Sequence, residues 1–219
     1  MKKYIIALIA VISVFSTQAQ IRTSRTFTKE KSRTEWMVRA GLSFNRLNGF
    51  DKIETEDAKI GGSTGFAVDL GFNRYFKNTN LYWGMELGIG TRGCSFKWDD
   101  SDPEYDEKFT TNAVTLKYVP FSLGYKFPVG ENLRVDPHAG VYASYDLSHG
   151  GDLDDYENDF DLGLQLGIGV WYNRVNLDLM YQFGFVDAGP GGEDPYDGIW
   201  ESFEGGKTGN ILLRLGVSF

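Results

Sequence analysis

Asp161-Leu162-Gly163-Leu164-Gln165-Leu166-Gly167-Ile168-Gly169-Val170-Trp171-Tyr172-Asn173 alternates without a break. Even positions carry Leu, Leu, Leu, Ile, Val and Tyr; odd positions carry Asp, Gly, Gln, Gly, Gly, Trp and Asn. Successive side chains of a strand point to opposite faces, so this segment has one apolar face and one small, polar face. A helix would spread both sets around its circumference and bury neither cleanly.

Outward from this stretch the same pattern repeats. On its C-terminal side, Asn173-Arg174 is a hairpin-sized break. Val175, Leu177, Leu179, Tyr181, Phe183 and Phe185 then alternate with Asn176, Asp178, Met180, Gln182 and Gly184. A long polar stretch, 187–207, precedes a closing strand with Ile211, Leu213, Leu215, Val217 and Phe219 in phase. On the N-terminal side a polar stretch, 148–158, separates it from Leu133, Val135, Pro137, Ala139, Val141, Ala143 and Tyr145. Strand patterns also run over 35–45, 65–73, 81–90 (with a possible extension through Cys94 to Trp98) and 112–127. In the last of these the apolar phase slips between Tyr118 and Phe121, and Pro120 sits at the slip, which marks a β-bulge. The spacing predicts eight strands, joined by alternately long and short connections.

Outer-membrane barrels have even strand numbers, tilted strands of about 9–11 residues, short turns on one side and long loops on the other. The expected fold is therefore all-β: an eight-stranded antiparallel up-and-down transmembrane β-barrel, with a cleaved signal peptide. Lys2, Lys3, the apolar run 5–15 and Thr17-Gln18-Ala19 form that signal, and the apolar run is too short to span a bilayer. The expected divisions are residues 1–19 as signal, 20–34 as a basic flexible periplasmic tail, and 35–219 as the barrel. Both termini are expected in the periplasm and the long loops outside the cell.

Alternation alone does not say which face looks outward, because a lipocalin-like soluble barrel turns its apolar face inward. Composition favours lipid outside. The polar face is rich in Gly, part of the 27 in the chain, and small residues suit a narrow lumen. The apolar face is nearly free of charge, as a cost of about 2–4 kcal/mol per mid-membrane Arg or Lys would impose. Trp36, Trp83, Tyr125, Phe127, Tyr172 and Phe219 gather at the short-turn ends of strands and read as an interfacial girdle. The lumen is expected to hold Arg39, Asp69, Glu86, Lys117, Arg134, Asp136, His138, Asp161, Asp178, Gln182 and Arg214. An eight-stranded barrel is just wide enough for its side chains to fill, so these mixed charges read as a paired plug and exclude a wide pore.

Tyr118-Val119-Pro120-Phe121-Ser122-Leu123-Gly124-Tyr125-Lys126-Phe127 resembles a strand of the PorT-like outer-membrane β-barrel family of Bacteroidetes-type bacteria. Pro137-His138-Ala139-Gly140-Val141-Tyr142 is similar to that family's next strand, and Asp161-Leu162-Gly163-Leu164 with Gly167 and Gly169 to the one after. The resemblance spans 36–219 and implies outer-membrane insertion. Founding members are tied to protein export and gliding, and only address and fold carry over.

Little else points to chemistry. The net charge of −8 argues against nucleic acid as a partner. Cys94 is the one cysteine, so no internal disulfide forms, and it reads as a small buried side chain. The histidines are His138 and His149. Ser148-His149 near Asp146 has the residue types of a hydrolytic triad, but neighbours on a strand point to opposite faces. Acidic runs at 99–107 and 152–159 lack EF-hand spacing and read as solvated loops, with weak bridging of divalent ions to lipopolysaccharide as the alternative. No cofactor, metal or catalytic residue is expected. The functional expectation is an outer-membrane barrel with a structural or interaction role in the envelope or in secretion. The alternatives are an outer-membrane lipid-modifying enzyme and a soluble secreted lipocalin-like carrier. Expected partners are outer-membrane lipids, lipopolysaccharide, the barrel-assembly machinery and unidentified envelope proteins.

Overall fold

The computed structural model describes residues 33–48, 58–98, 107–151, 159–187 and 207–219. The expected signal peptide, most of the expected basic tail, and all but the last residue of each acidic run (99–107 and 152–159) lie outside them.

Among the described residues every element is a strand: β1 (Thr34–Asn48), β2 (Ala58–Tyr75), β3 (Leu81–Trp98), β4 (Glu107–Tyr125), β5 (Phe127–Pro128), β6 (Leu133–Gly151), β7 (Phe160–Tyr172), β8 (Val175–Asp187) and β9 (Lys207–Ser218). β5 is a two-residue extension beyond β4, pairing with Val135 and Arg134. The other eight run 12 to 19 residues. Each pairs antiparallel with the next, and β1 pairs with β9, Met37 opposite Ser218 through to Asn48 opposite Lys207. The sheet is a closed eight-stranded barrel with no free edge, as a membrane requires of β structure.

The faces divide as the alternation dictates. Leu164, Leu166 and Ile168 are 45%, 60% and 50% exposed, whereas Gln165 and Asp178 are fully buried. The apolar set looks out and the polar set looks into the lumen, which is the arrangement of a membrane barrel and not of a lipocalin. No helix among the described residues is long and apolar enough to cross a membrane; the crossing is made by strands.

Most strands are longer than their apolar alternation. β1 continues to Asn48, β2 starts at Ala58, and β3 does continue through Cys94, which is buried, to Trp98. Polar pairing beyond the membrane-length stretch keeps the ladder going where hydrophobic patterning no longer reports it. The slip at Pro120 is a real irregularity. The register of β4 shifts against β3 between Gly84 and Glu86 and against β6 between Tyr118 and Phe121. Val119 turns fully inward there while Pro120 and Phe121 both face out.

Two short connections use an asparagine with positive φ, Asn78 at 61° and Asn173 at 53°. Asn is one of the few non-glycine residues that tolerate this region.

Candidate functional site: the packed lumen

The lumen is built from charges that find each other across the barrel. Arg214 on β9 lies at its centre. Its Nη1 donates to Asp69 Oδ2 at 2.8 Å and Glu86 Oε2 at 3.1 Å; its Nη2 and Nε donate to Asp178 Oδ2 at 2.5 and 3.0 Å. Arg39 Nη1 donates to Glu86 Oε1 at 2.6 Å, and Lys117 Nζ lies 2.7 Å from Asp69 Oδ1. Three cations and three carboxylates, on β1, β2, β3, β4, β8 and β9, thus form one network. All six are nearly or fully buried. Isolated buried ions cost several kcal/mol each, so sign balance is a condition of this packing. His138 Nε2 stands 3.5 Å from Asp178 Oδ1 at the edge of the network.

Glycines make the room. Gly88 sits opposite both Asp69 and Lys117, Gly216 opposite Arg39, Gly41 opposite Arg214, and Gly169 opposite both Asp136 and Asp178. At Gly163 a Cβ would collide with the Phe183 carbonyl and the Tyr142 ring. The large lumen side chains therefore lie over a bare stretch of the neighbouring strand. Trp171, Tyr82 and Tyr142, which share the polar phase of their strands, also point inward and are buried.

Towards the long-loop end, Asp161 Oδ2 accepts from Tyr142 Oη at 2.9 Å and Thr208 Oγ1 at 2.5 Å. Gln182 donates to Gln165. A cavity of about 30 Å³ lies here, bordered by Lys117, Tyr142, Asp161 and Gln182; that is room for a water molecule or two. Above it Arg92 and Asp146 form a second buried ion pair at 2.6 Å. Asp146 is therefore occupied, and Ser148 faces outward; the His149 side chain lies outside the described set.

The short-turn mouth is closed by a cluster the sequence analysis did not single out. Lys126, the one residue between β4 and β5, inserts its ammonium under the rim, 2.6 Å from Glu35 Oε2 and 3.5 Å from the centre of the Trp171 ring. The rings of Tyr75 and Tyr82 lie 5.7 and 5.8 Å away. Tyr75 Oη donates to Glu35 at 2.6 Å. Asp136 accepts from Tyr82 Oη at 2.8 Å and from Trp171 Nε1 at 2.9 Å. Burial pulls the Lys126 ammonium down to about 8 from its ordinary 10.5, against the opposing pull of Glu35 and Asp136. The phase slip at Pro120 was the available signal: beyond it Ser122, Gly124 and Lys126 turn inward, and Lys126 is the long one.

Of the residues assigned to the lumen by alternation, Arg39, Asp69, Glu86, Lys117, Asp178 and Arg214 lie in the central network, with His138 beside it. Asp161 and Gln182 lie nearer the loops, and Asp136 in the mouth cluster. Arg134 stands apart: it is only half-buried, and its guanidinium donates to the Asn173 carbonyl at the turn rim. Trp36, Phe127, Tyr172 and Phe219 project outward at the short-turn end, with Trp83 and Tyr125 partly covered. Phe72 bridges Trp36 and Trp83, at centroid distances of 5.3 and 5.5 Å. Among the described residues no group of His, Cys, Asp and Glu is arranged to hold a metal.

Comparison with known proteins agrees with this geometry. The profile of a family described as "Outer membrane protein beta-barrel domain" matches residues 18–188. No protein with a curated description matches the chain by sequence. Among solved structures, the outer membrane protein OprG of Pseudomonas aeruginosa superposes with a TM-score of 0.50 at 11% identity, covering 87% of this chain and 98% of that one. Neisserial surface protein A is similar at 12% identity and a TM-score of 0.39, covering 87% and 100%. The attachment invasion locus protein Ail of Yersinia pestis, solved with the heparin analogue sucrose octasulfate, gives 15% identity and a TM-score of 0.41, covering 85% and 99%.

Proposed function

Because this chain belongs to the outer-membrane β-barrel domain family, we propose that it serves the outer membrane as a solid post whose work is done by its surfaces, not by passage through its interior. The observation that carries this reading is the buried network around Arg214. Three cations and three carboxylates fill the cross-section, and every cation in it is engaged by a carboxylate at 3.1 Å or less. A diffusion pore needs open cross-section, and at eight strands the side chains fill it.

On this reading the protein is an envelope or secretion accessory, with the short-turn rim in the periplasm and the long loops outside. Its acidic loops and basic tail are the contact surfaces, with lipopolysaccharide and envelope proteins as partners. Within the family we place it among the PorT-like barrels, on the 118–127 strand and the two that follow it. It has no enzymatic role. Asp146, the acid beside Ser148-His149, is tied to Arg92 and faces away from Ser148.

The test is electrical and chemical together. Purified barrel in a planar bilayer should give no steady conductance at neutral pH, and a strain lacking the gene should keep its lipid A mass profile. Open channels of porin size would overturn the solid post; a changed lipid A profile restored by the wild-type gene would favour the lipid-modifying enzyme.

A further inference from the structure

The mouth cluster has the form of a binding site that is already full. An ammonium sits over one indole face and between two phenol rings, with a carboxylate 2.6 Å away. Aromatic faces attract cations through the ring quadrupole, and cages of this kind recognise ammonium ligands. The walls come from many segments: Glu35 from β1, Tyr75 from β2, Tyr82 from β3, Asp136 from β6 and Trp171 from β7. The occupant comes from outside the strands. Lys126 is the one residue between β4 and β5, held through its backbone N–H to the Asn80 carbonyl at 3.2 Å.

The walls are fixed independently of that occupant. Asp136 is gripped by Tyr82 and Trp171, Tyr75 by Glu35, and the Tyr75 N–H by the Arg33 carbonyl at 2.9 Å. Withdrawing the lysine leaves a formed aromatic and acidic pocket at the rim.

We propose that the short-turn mouth is a binding site for ammonium groups, primary or quaternary, and that Lys126 is its tethered, displaceable resident. The charged and titratable groups that face it are Glu35, Tyr75, Tyr82 and Asp136, with the Arg33 guanidinium over the outer face of Tyr75 and that of Arg134 5.8 Å from the Trp171 ring. A mobile ligand competes best with the resident at low pH. Burial lowers the Lys126 pKa to about 8, so above that pH a withdrawn lysine must regain a proton, whereas a quaternary ammonium keeps one charge throughout.

The experiment uses the full mature barrel, folded in detergent and checked by heat-modifiable migration. Lys126→Ala removes the propylammonium portion of the side chain. Propylammonium and tetramethylammonium should bind this variant, read by calorimetry and by the Trp171 indole resonance, with n-propanol inert. Lys126→Met, which fills the space without charge, should bind neither. Wild-type protein should bind tetramethylammonium about tenfold more weakly at pH 9 than at pH 7, because withdrawing the lysine at the higher pH requires it to take up a proton that the seated one lacks. Adding Glu35→Gln to Lys126→Ala should weaken binding. Equal binding of propanol and propylammonium to Lys126→Ala, no binding by it at all, or a wild-type affinity that ignores pH would each overturn the proposal. The wild-type titration stands if either variant fails to fold. Failure here would leave the solid post intact, since the Arg214 network is separate from the mouth.

Discussion

Arg214 carries more of the interior than any other residue. It answers Asp69, Glu86 and Asp178 at once, so removing it leaves Asp178 with only His138, at 3.5 Å, and Asp69 and Glu86 with one cation each. Arg214→Met should destabilise the barrel by about 3–5 kcal/mol, the usual cost of breaking a buried pair from one side; urea unfolding in lipid vesicles measures it. Lys126 makes a pH-dependent contribution of opposite character. Its folded pKa near 8 lies below the ordinary 10.5. Between those values the unfolded chain holds a proton that the folded one lacks, so this group makes stability rise with pH. The difference in unfolding midpoint between wild type and Lys126→Met, followed from pH 7 to 10.5, should grow in favour of wild type. At this scale the sequence was only partly legible. Alternation told which side chains point inward. It could not tell that Arg39 meets Glu86 while Arg134 reaches only a turn carbonyl, because partners across a barrel depend on stagger between strands far apart in the chain. Lys126 was harder still, since its inward phase exists only after the bulge.

At the scale of single elements, β7 is the most regular strand and the simplest test of the lipid face. Leu166 stands at its middle and is 60% exposed. Leu166→Arg should cost about 2–4 kcal/mol in a bilayer, again by vesicle unfolding, whereas an arginine near Tyr172 should cost far less. The β7–β8 hairpin turns at Asn173 with φ 53°. Asn173→Val should lose on the order of 1–2 kcal/mol of stability, because a β-branched residue resists the left-handed region, while Asn173→Gly should be close to neutral. Comparing unfolding midpoints of the two variants checks this. Strand existence, order and phase were all readable here, and so was the bulge at Pro120. Apart from the extension to Trp98, the strand ends were not: Asn48 and Gly151 lie past the last apolar residue of their alternation, held by backbone pairing that composition does not encode.

For the whole molecule, the alternation of long and short connections was enough to foresee closure, and the charge-free outer face was enough to choose lipid over water. What the interior does as a unit was foreseen only as a plug of mixed charge. Its arrangement, a central six-residue network with a small cavity above and a lysine-filled cage below, required coordinates. A double variant that removes one charge of each sign, Arg39→Met with Glu86→Leu, keeps the sign balance. It should therefore cost less than the sum of the two single changes, and a thermodynamic cycle on the four proteins gives that coupling.

The seam between β1 and β9 has a temporal consequence. Trp36 and Phe219 exchange backbone hydrogen bonds in both directions, at 3.3 and 2.9 Å, so the first of the described strands in chain order is zipped to the last. Until that final segment has been exported, the opening segment presents a row of bare amides that only a chaperone or an insertion machine can shield.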